Sequence, residues 1–256
     1  DKMNLQNLQR GGALRKAITP MQSGQVVLSG DWTAIEARMT AVLCGQKDLV
    51  EAFRNGVDVY KAFAAEKYSI SEAEVTSEIR RVGKFSILGL GFGMGGAKFK
   101  DTLRRMADTH VTVHDAAQTV RFYRKRYAYI KKGWKTLGGM LQAVAADPSC
   151  KLYFGPCRLE TDVTHSLSTS TKVLRWALPN GTFIYYPDLQ NDEDGWSYQS
   201  TRGRKNLWGG VLLENCLAGA TKVATSEGWV RLDKITPTHS VWDGQEFVRH
   251  DGRINQ

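Results

Sequence analysis

The chain has 256 residues, 42% of them hydrophobic, which is enough to bury a core of ordinary size in one or two domains. Its net charge is +9, and residues 1–215 carry the whole excess, with 30 basic and 21 acidic side chains. This balance favours a polyanionic partner. The four cysteines form no CxxC pair and no apolar run could cross a bilayer, so neither a zinc site, a secreted disulfide framework nor a membrane span is predicted. A reducing cytoplasm is expected, and the start at Asp1 suggests an excerpt of a longer protein.

The first hundred residues are predicted to form a strand followed by helices. Residues 24–32, GQVVLSGDW, are a short Val-rich apolar run that predicts a buried strand. Apolar residues then recur at helical spacing up to Gly45, and residues 58–68 predict another helix. Ser71 and Glu74 make a capping-box signature, which predicts one long helix from Ser71 to the glycines at 91–96.

The second hundred residues combine helix and strand patterns. Residues 113–144 are helical and basic, with predicted interruptions at Gly133 and at Gly138-Gly139. Residues 174–189 switch to strand chemistry around a hairpin turn at Asn180-Gly181. Residues 191–205 are predicted to be a polar loop, and residues 207–215 to begin another helix. Residues 1–215 are therefore predicted to be mixed α and β, weighted toward helix.

Two patterns carry candidate chemistry. Asp31 follows the predicted strand, where it is either a plain helix cap or a metal ligand at the edge of a cleft. Some fifty residues later, four side chains recur every four residues along one side of a helix: Arg80, Lys84, Leu88 and Phe92. Two cations followed by two apolar groups match the polarity of a nucleoside triphosphate, although a solvated basic turn followed by a core stripe gives the same pattern.

These strings resemble family A DNA polymerases, the group of bacterial DNA polymerase I and many tailed-phage enzymes. GDWTAIEARM, from Gly30, resembles the first palm motif of that family, and RRVGKFSILGLGFGMG, from Arg80, resembles its fingers helix. Further matching segments are NLQNLQ with LRKAI, LPNGTFIYY and WGGVLLEN, all in family order over residues 1–215. Leu88 departs from the usual Phe or Tyr, and Phe92 from the usual Tyr.

The resemblance implies template-directed DNA synthesis by a DNA-directed DNA polymerase, with primer-template DNA and deoxynucleoside triphosphates as partners. It makes Asp31 a ligand of both catalytic magnesium ions and the Trp32 carbonyl a ligand of one of them, and it makes Glu36 the residue that excludes a ribose 2′-hydroxyl. Arg80 and Lys84 would bind the triphosphate, with Lys84 also protonating pyrophosphate, and Leu88 and Phe92 would face the sugar and the templating pair. The family's second catalytic Asp lies in a His-Asp-Glu motif beyond the segment that matches WGGVLLEN.

Three other patterns are interpreted as unrelated to this chemistry. Asp115 in VHDAA is predicted to be a first-turn helix acid rather than the second catalytic Asp. Gly91, Gly93 and Gly96 spell GxGxxG but follow a helix, so a dinucleotide fold is rejected. Thr236 and His239 spell Thr-x-x-His in a predicted turn and are assigned no functional role.

The chain changes character at Cys216. CLAGATKV, short β-type runs and Gly turns replace the polymerase pattern, and this resembles the N-terminal part of an intein, a self-excising protein element. The resemblance implies that the Cys216 thiol attacks the Asn215 carbonyl and converts the amide into a thioester. The later His-containing motif and the terminal His-Asn of inteins are not found in their expected places, so only the start of an intein is predicted.

The sequence thus predicts an α+β chain with two parts. Residues 1–215 are interpreted as helix-rich fingers with a partial polymerase palm, and residues 216–256 as a small all-β N-terminal intein segment. We expect the isolated chain neither to polymerise nor to splice, and a phage origin would place it in the host cytoplasm. Two alternatives stay open: a catalytically inert nucleic-acid or nucleotide-binding fragment, and the N-terminal half of a trans-splicing pair that needs a C-terminal fragment.

Overall fold

The fold was analysed in a computed structural model. It describes residues 13–19, 34–162, 171–178 and 181–215, and four later strands between residues 222 and 249. The first 33 residues form a separate compact unit, in which the described element is a one-turn helix α1, Ala13–Lys16. The predicted strand at 24–32 lies outside the described residues.

The second unit begins with seven further helices: α2 (Ile35–Cys44), α3 (Lys47–Arg54), α4 (Val59–Tyr68), α5 (Ser77–Leu90), α6 (Gly96–Ala107), α7 (Val113–Arg126) and α8 (Ala128–Ala146). The helices predicted around residues 33–45 and 58–68 are confirmed. Gly45, at φ 69°, ends α2 in the left-handed conformation that glycine adopts without strain. None of the described helices combines the length and apolarity of a bilayer span.

The capping box at Ser71 is formed but does not cap the long helix. The Ser71 N–H and hydroxyl both donate to the Glu74 carboxylate, at 2.9 and 2.7 Å. They close a single 3-10 turn, Glu72–Glu74. Helix α5 starts only at Ser77, where the Thr76 hydroxyl accepts the Ile79 N–H. The prediction of one helix from Ser71 is therefore wrong, because the 3-10 turn ends at Glu74 and a second cap, Thr76, begins a new helix.

The predicted glycine interruptions after residue 113 are also wrong. The helical conformation is interrupted instead at Tyr127, between α7 and α8. Helix α8 then continues without interruption through Gly133, Gly138 and Gly139. Tertiary packing explains the first of these, since a Cβ at Gly133 would lie 2.5 Å from the Cys44 Sγ. Gly133 therefore allows α2 to approach α8 rather than ending the helix.

Strands β1 (Lys151–Phe154), β2 (Cys157–Thr161), β3 (Leu174–Ala177) and β4 (Phe183–Tyr186) form one antiparallel sheet in chain order. The hairpin predicted at Asn180-Gly181 is confirmed: Ala177 pairs with Phe183, and Gly181 has φ 82°. The polar loop predicted at 191–205 is wrong. That region forms an antiparallel sheet of β5 (Gln190–Asp192), β6 (Gly195–Ser200) and β7 (Gly203–Asn206), which leads into α9 (Gly209–Asn215).

After residue 215 the structure describes one antiparallel sheet of four strands. They are β8 (Lys222–Thr225), β9 (Gly228–Arg231), β10 (Ser240–Trp242) and β11 (Phe247–Arg249), in the order β11-β10-β8-β9. The paired strands expected in this part of the chain are thus present. Together with the helix-rich first part, they confirm the predicted α+β class.

One hydrophobic core joins the helices to the β1–β4 sheet. Its largest fully buried side chains include Phe63, Phe99, Tyr123, Trp176 and Tyr186. Burying an aromatic side chain of this size contributes about 3 kcal/mol before conformational entropy is counted. Helix α2 buries Ala37, Thr40 and Ala41. Glu36 precedes this buried set in the first helical turn and is exposed.

Candidate functional site

Helix α5 presents Arg80, Lys84 and Leu88 at four-residue spacing, as the sequence predicts. The residues of α5 that are buried in the core include Val82, Ser86, Ile87 and Leu90. The helix ends at Leu90, so the prediction that Phe92 belongs to the same helix is wrong. Phe92 lies half-buried in the turn that follows, since the glycines on either side favour a turn over continued helix.

Arg80 is held by Asp58. Its Nε donates to Asp58 Oδ2 at 2.6 Å, and its guanidinium lies 5.3 Å from the centre of the Tyr60 ring. Asp58 also caps α4, because its Oδ1 accepts the Tyr60 and Lys61 N–H groups at 3.2 and 3.1 Å. Burial alone would raise the pKa of Asp58, but the hydrogen bond from Arg80 and the capping bonds hold it below its ordinary value.

Lys84 lies one turn further along α5 and is exposed. Within the described part of the chain, its ammonium group has no hydrogen bond or ion pair, unlike the guanidinium of Arg80. Leu88, a turn beyond Lys84, is half-buried and packs against the core. The helix therefore offers one cation that has no partner among the described residues next to one held by Asp58, with an apolar group beyond them.

Glu36 belongs to the same neighbourhood. The pKa of the Tyr60 hydroxyl is raised by burial and by the charges of Asp58 and Glu36, and is lowered by Arg80 and Arg38. The charges of these four side chains therefore all act on one phenol. We call Glu36, Arg38, Asp58, Tyr60 and Arg80 the Tyr60 cluster. Glu36 and Arg80, two of the residues predicted to contact the nucleotide, therefore act electrostatically on the same hydroxyl.

Sequence reasoning missed two acidic residues at this site. In the sequence, Asp58 marks only the start of the helix predicted at residues 58–68, and Glu214 is only part of the segment WGGVLLEN. Glu214 lies on α9, and its pKa is raised by burial and then by the negative charge of Glu36, with Lys98 acting in the opposite direction. Spacing along the chain gives no signal for either contact, because each joins separate elements.

Three predicted site residues cannot be placed. Asp31 and Trp32, the expected metal ligands, and Cys216, the expected splicing nucleophile, lie outside the described residues. Inside those ranges, no group of three or more His, Cys, Asp or Glu side chains could hold a metal ion. Asn215, next to Cys216, is described: its Nδ2 donates to the hydroxyl of buried Tyr186 at 2.8 Å.

The patterns set aside in the sequence behave as expected where they are described. Asp115 lies in the first turn of α7, and its backbone N–H donates to the capping hydroxyl of Thr112 at 3.0 Å. Gly91 and Gly93 follow α5 rather than a strand, and Gly96 opens α6. Thr236 and His239 lie outside the described residues.

The chain is similar to several curated polymerases. It is 28% identical over 133 residues to DNA polymerase I of Geobacillus stearothermophilus, covering 50% of this chain and 14% of that protein. It is 32% identical over 133 residues to DNA polymerase I of Lactococcus lactis IL1403, again covering 50% of this chain and 14% of that protein. The DNA polymerase of Bacillus phage SP02 is 27% identical over 235 residues, covering 86% of this chain and 34% of the phage protein.

Among solved structures, the POL domain of Pol1 from M. smegmatis, in complex with DNA primer-template and dNTP, matches at 25% identity. The match covers 44% of this chain and 19% of that one, with a TM-score of 0.38. The chain spans only about a third or less of the curated relatives named above. The sequence profile of DNA polymerase family A matches residues 1–145, more than half of the chain. The chain belongs to DNA polymerase family A.

Proposed function

We propose that residues 1–215 bind the incoming nucleotide during template-directed DNA synthesis, as the fingers and part of the palm of a DNA-directed DNA polymerase. Membership of DNA polymerase family A supports the reaction class. The main support for a nucleotide site is the exposed ammonium group of Lys84 on α5, one turn from Arg80 and close to the Tyr60 cluster. A triphosphate would bind there by charge-assisted hydrogen bonds.

Each described residue has a role in this proposal. Lys84 binds the triphosphate and protonates the pyrophosphate that leaves. Arg80 binds the phosphates by exchanging its hydrogen bond to Asp58 for one to the ligand. Asp58 therefore holds the guanidinium in position while the site is empty. Leu88 and Phe92 meet the sugar and the base, and Leu88 offers the sugar no aromatic face. Glu36 excludes the 2′-hydroxyl of a ribonucleotide.

Magnesium is the cofactor that this reaction class implies. The described residues alone do not form a magnesium site, because no cluster of potential ligands occurs among them. Asp31 would hold both ions and the Trp32 carbonyl one of them, and bound ions would supply activation of the primer 3′-hydroxyl and stabilisation of the leaving pyrophosphate. The second catalytic Asp of the family has no counterpart in residues 1–215, so we expect this chain alone to bind nucleotide without extending a primer.

Replacing Lys84 with alanine tests the nucleotide site. We expect the Kd of the chain for dATP, measured by isothermal titration calorimetry, to rise roughly 10- to 100-fold, since a hydrogen bond to a charged group contributes about 1.5–3 kcal/mol. Arg81→Ala is the matched control: it removes an exposed cation from the same helix, three residues before Lys84. Equal weakening by the two substitutions would show a general charge effect and would overturn the assignment of Lys84.

We also propose that Cys216 begins an intein. The change in charge balance at this residue supports the proposal, as does the four-stranded antiparallel sheet that follows it. In the first step the Cys216 sulfur bonds to the Asn215 carbonyl carbon, the peptide C–N bond breaks, and the Cys216 nitrogen leaves as a free amine. The hydrogen bond from Asn215 to Tyr186 would hold Asn215, the last residue before the intein, in place during this reaction.

Splicing is tested by mixing the chain with a candidate C-terminal half under reducing conditions and measuring product masses. The wild-type chain should yield a ligated product that lacks residues 216–256, and Cys216→Ala should yield none, because alanine has no nucleophile. Tyr186→Phe should slow ligation without abolishing it. A failure of the wild-type chain to ligate would contradict the trans-splicing form of the proposal and leave the nucleotide site untouched.

A further inference from the structure

The two cations of α5 are in different states, although they lie one turn apart. Arg80 donates through Nε to Asp58 Oδ2 at 2.6 Å, whereas the Lys84 ammonium has no hydrogen bond or ion pair within the described part of the chain. Both side chains are accessible, since Lys84 is exposed and the side chain of Arg80 is 43% exposed. A ligand that approaches this helix therefore meets Lys84 without a competitor and Arg80 with one.

The carboxylate of Asp58 is held in place independently of Arg80. Its other oxygen, Oδ1, accepts the backbone N–H groups of Tyr60 and Lys61 at 3.2 and 3.1 Å, which caps α4. Gly83 of α5 packs against the Tyr60 carbonyl so closely that an added Cβ would overlap it. The cap and this close contact hold the acceptor at a set distance from α5. When Arg80 leaves Oδ2, that oxygen stays where Arg80 can bind it again.

Asp58 engages only one nitrogen of the Arg80 guanidinium. The hydrogen bond uses Nε, and within the described residues the two Nη atoms have no hydrogen-bond partner. Phosphate oxygens bind arginine most strongly through two parallel N–H···O bonds. The edge formed by Nε and the neighbouring Nη offers such a pair of donors only after Asp58 is displaced. A phosphate that takes this edge therefore replaces one hydrogen bond with two, which makes the exchange favourable.

Another arginine pair of the same fold lacks these features. Arg126 on α7 binds two carboxylates at once, those of Asp48 on α3 and Glu66 on α4, and so joins three helices. The residues one turn before and after it are Phe122 and Ile130, so no second cation lies beside it on its own side of the chain. This pair has a structural role, and its Asp48 side chain is about as exposed as that of Asp58, at 41% against 37%.

The order of side chains along α5 determines which part of a nucleotide meets each cation. In the proposed site Leu88 faces the sugar, Lys84 lies one turn before it and Arg80 two turns before it. Arg80 is therefore the cation furthest from the sugar, and the phosphates that it meets are the terminal ones. A nucleoside monophosphate has no phosphate at that position.

We propose that Asp58 is an internal competitor for Arg80, which a nucleotide displaces before its terminal phosphates bind. This inference rests on the proposed nucleotide site and adds a residue that determines its specificity. The competition weakens the binding of every ligand that reaches Arg80 and leaves ligands that reach only Lys84 unaffected. It also speeds release, because Asp58 takes Arg80 back as pyrophosphate departs. The site therefore gives up affinity for polyphosphates in exchange for faster turnover of the bound ligand.

Replacing Asp58 with asparagine tests the competition, because asparagine caps a helix as well as aspartate does but has no charge to hold Arg80. We expect the Kd of the 256-residue chain for dATP, measured by isothermal titration calorimetry, to fall about three- to tenfold. The Kd for inorganic pyrophosphate should fall by the same factor, and the Kd for dAMP should change less than about twofold. Stopped-flow fluorescence with mant-dATP should show the tighter binding as slower dissociation.

Two controls separate competition from other effects. Asp48→Asn removes the same charge from the Arg126 pair and should change the Kd for dATP less than about twofold. In an Arg80→Ala background, Asp58→Asn should likewise have almost no effect, because the residue for which Asp58 competes is absent. A substitution that damaged the fold would weaken binding, so the direction of the change excludes a merely structural role.

Weaker or unchanged dATP binding by Asp58→Asn, or equal tightening by Asp48→Asn, would overturn the proposed competition and leave the nucleotide site intact. Tightening of dAMP binding by the same factor as dATP binding would overturn the assignment of Arg80 to the terminal phosphates. A wild-type chain that binds no dATP would overturn the nucleotide site itself and this inference with it.

Discussion

Replacing Gly83 with alanine is expected to destabilise the second unit of the chain by roughly 3 kcal/mol, because it forces two packed helices apart. A Cβ at Gly83 would lie 2.1 Å from the carbonyl oxygen of Tyr60 and 3.2 Å from the Cβ of Ala64. The closest of these atoms belongs to the backbone of α4, so no side-chain rotation relieves the overlap. The shift would also displace Tyr60 from Arg80.

Urea unfolding followed by circular dichroism measures this effect. Gly138→Ala is the matched control, since it makes the same chemical change in a helix where the added Cβ meets nothing within 4 Å. That control should gain up to about 1 kcal/mol from helix propensity. If Gly83→Ala were as stable as the wild type, the close packing of α4 against α5 would be wrong, and with it the position of Arg80.

Glu160→Gln is expected to cost about 3 kcal/mol of unfolding free energy at pH 7, because it breaks a buried charge cluster. The Glu160 side chain is 1% exposed and accepts hydrogen bonds from Arg158 and Arg175, at 2.9 and 2.7 Å from their Nε atoms. Arg175 pairs with Glu160 across strands β2 and β3 and also reaches Asp162 at 3.2 Å. The partly exposed guanidinium groups keep some hydration, which places the cost at the low end for such clusters.

The same cluster makes stability depend on pH. Burial alone would raise the pKa of Glu160, but the hydrogen bonds and charges of the two arginines hold it below its ordinary value of 4.5. The unfolded chain therefore takes up a proton first as pH falls. The stabilisation is complete above about pH 5 and is lost as pH falls through the lowered folded pKa.

Unfolding at a series of pH values between 3 and 7 checks this dependence. Glu160→Gln should flatten the fall in stability on the acid side. The control Glu193→Gln, an exposed position in the β5–β6 turn, should not change it. An acid profile of Glu160→Gln that parallels the wild type would contradict the assigned pairing of Glu160.

The helices were predictable where local signals agreed with one another. Around α2, helical spacing of apolar residues and the stop at Gly45 point to the same element, and the structure has it. The capping box at Ser71 was recognised correctly but assigned to the wrong element, since nothing in Ser71 or Glu74 reveals that Thr76 caps again two residues later. Local rules identify a cap better than they identify the helix that follows it.

The errors in the second hundred residues have a tertiary origin. Gly133 was interpreted as a helix interruption, whereas the approach of Cys44 explains it. Strands β5 and β7 were interpreted as loop because their residues are polar and exposed. Their pairing depends on turns at Gly195 and Gly203, which have φ near 100°. The alternation of polar and apolar residues that marks a strand is absent when neither face of the strand packs against the core.

The site was predictable only in part. Four-residue spacing placed Arg80, Lys84 and Leu88 on one side of α5, and this follows from helix geometry alone. The pairing of Arg80 with Asp58, 22 residues away, and the effect of the Glu36 charge on the pKa of Glu214 depend on how separate helices pack. No spacing rule along one chain contains that information.

We propose, from the family resemblance, that Asp31 and the cations of α5 serve the same nucleotide. It is tested most directly by measuring the Kd of the chain for dATP with and without magnesium, in the wild type and in Asp31→Asn. Magnesium should tighten binding about tenfold in the wild type and have no effect in Asp31→Asn, because the Asp31 carboxylate would hold the ion that offsets the charge of the triphosphate. An equal effect of magnesium on both proteins would contradict it.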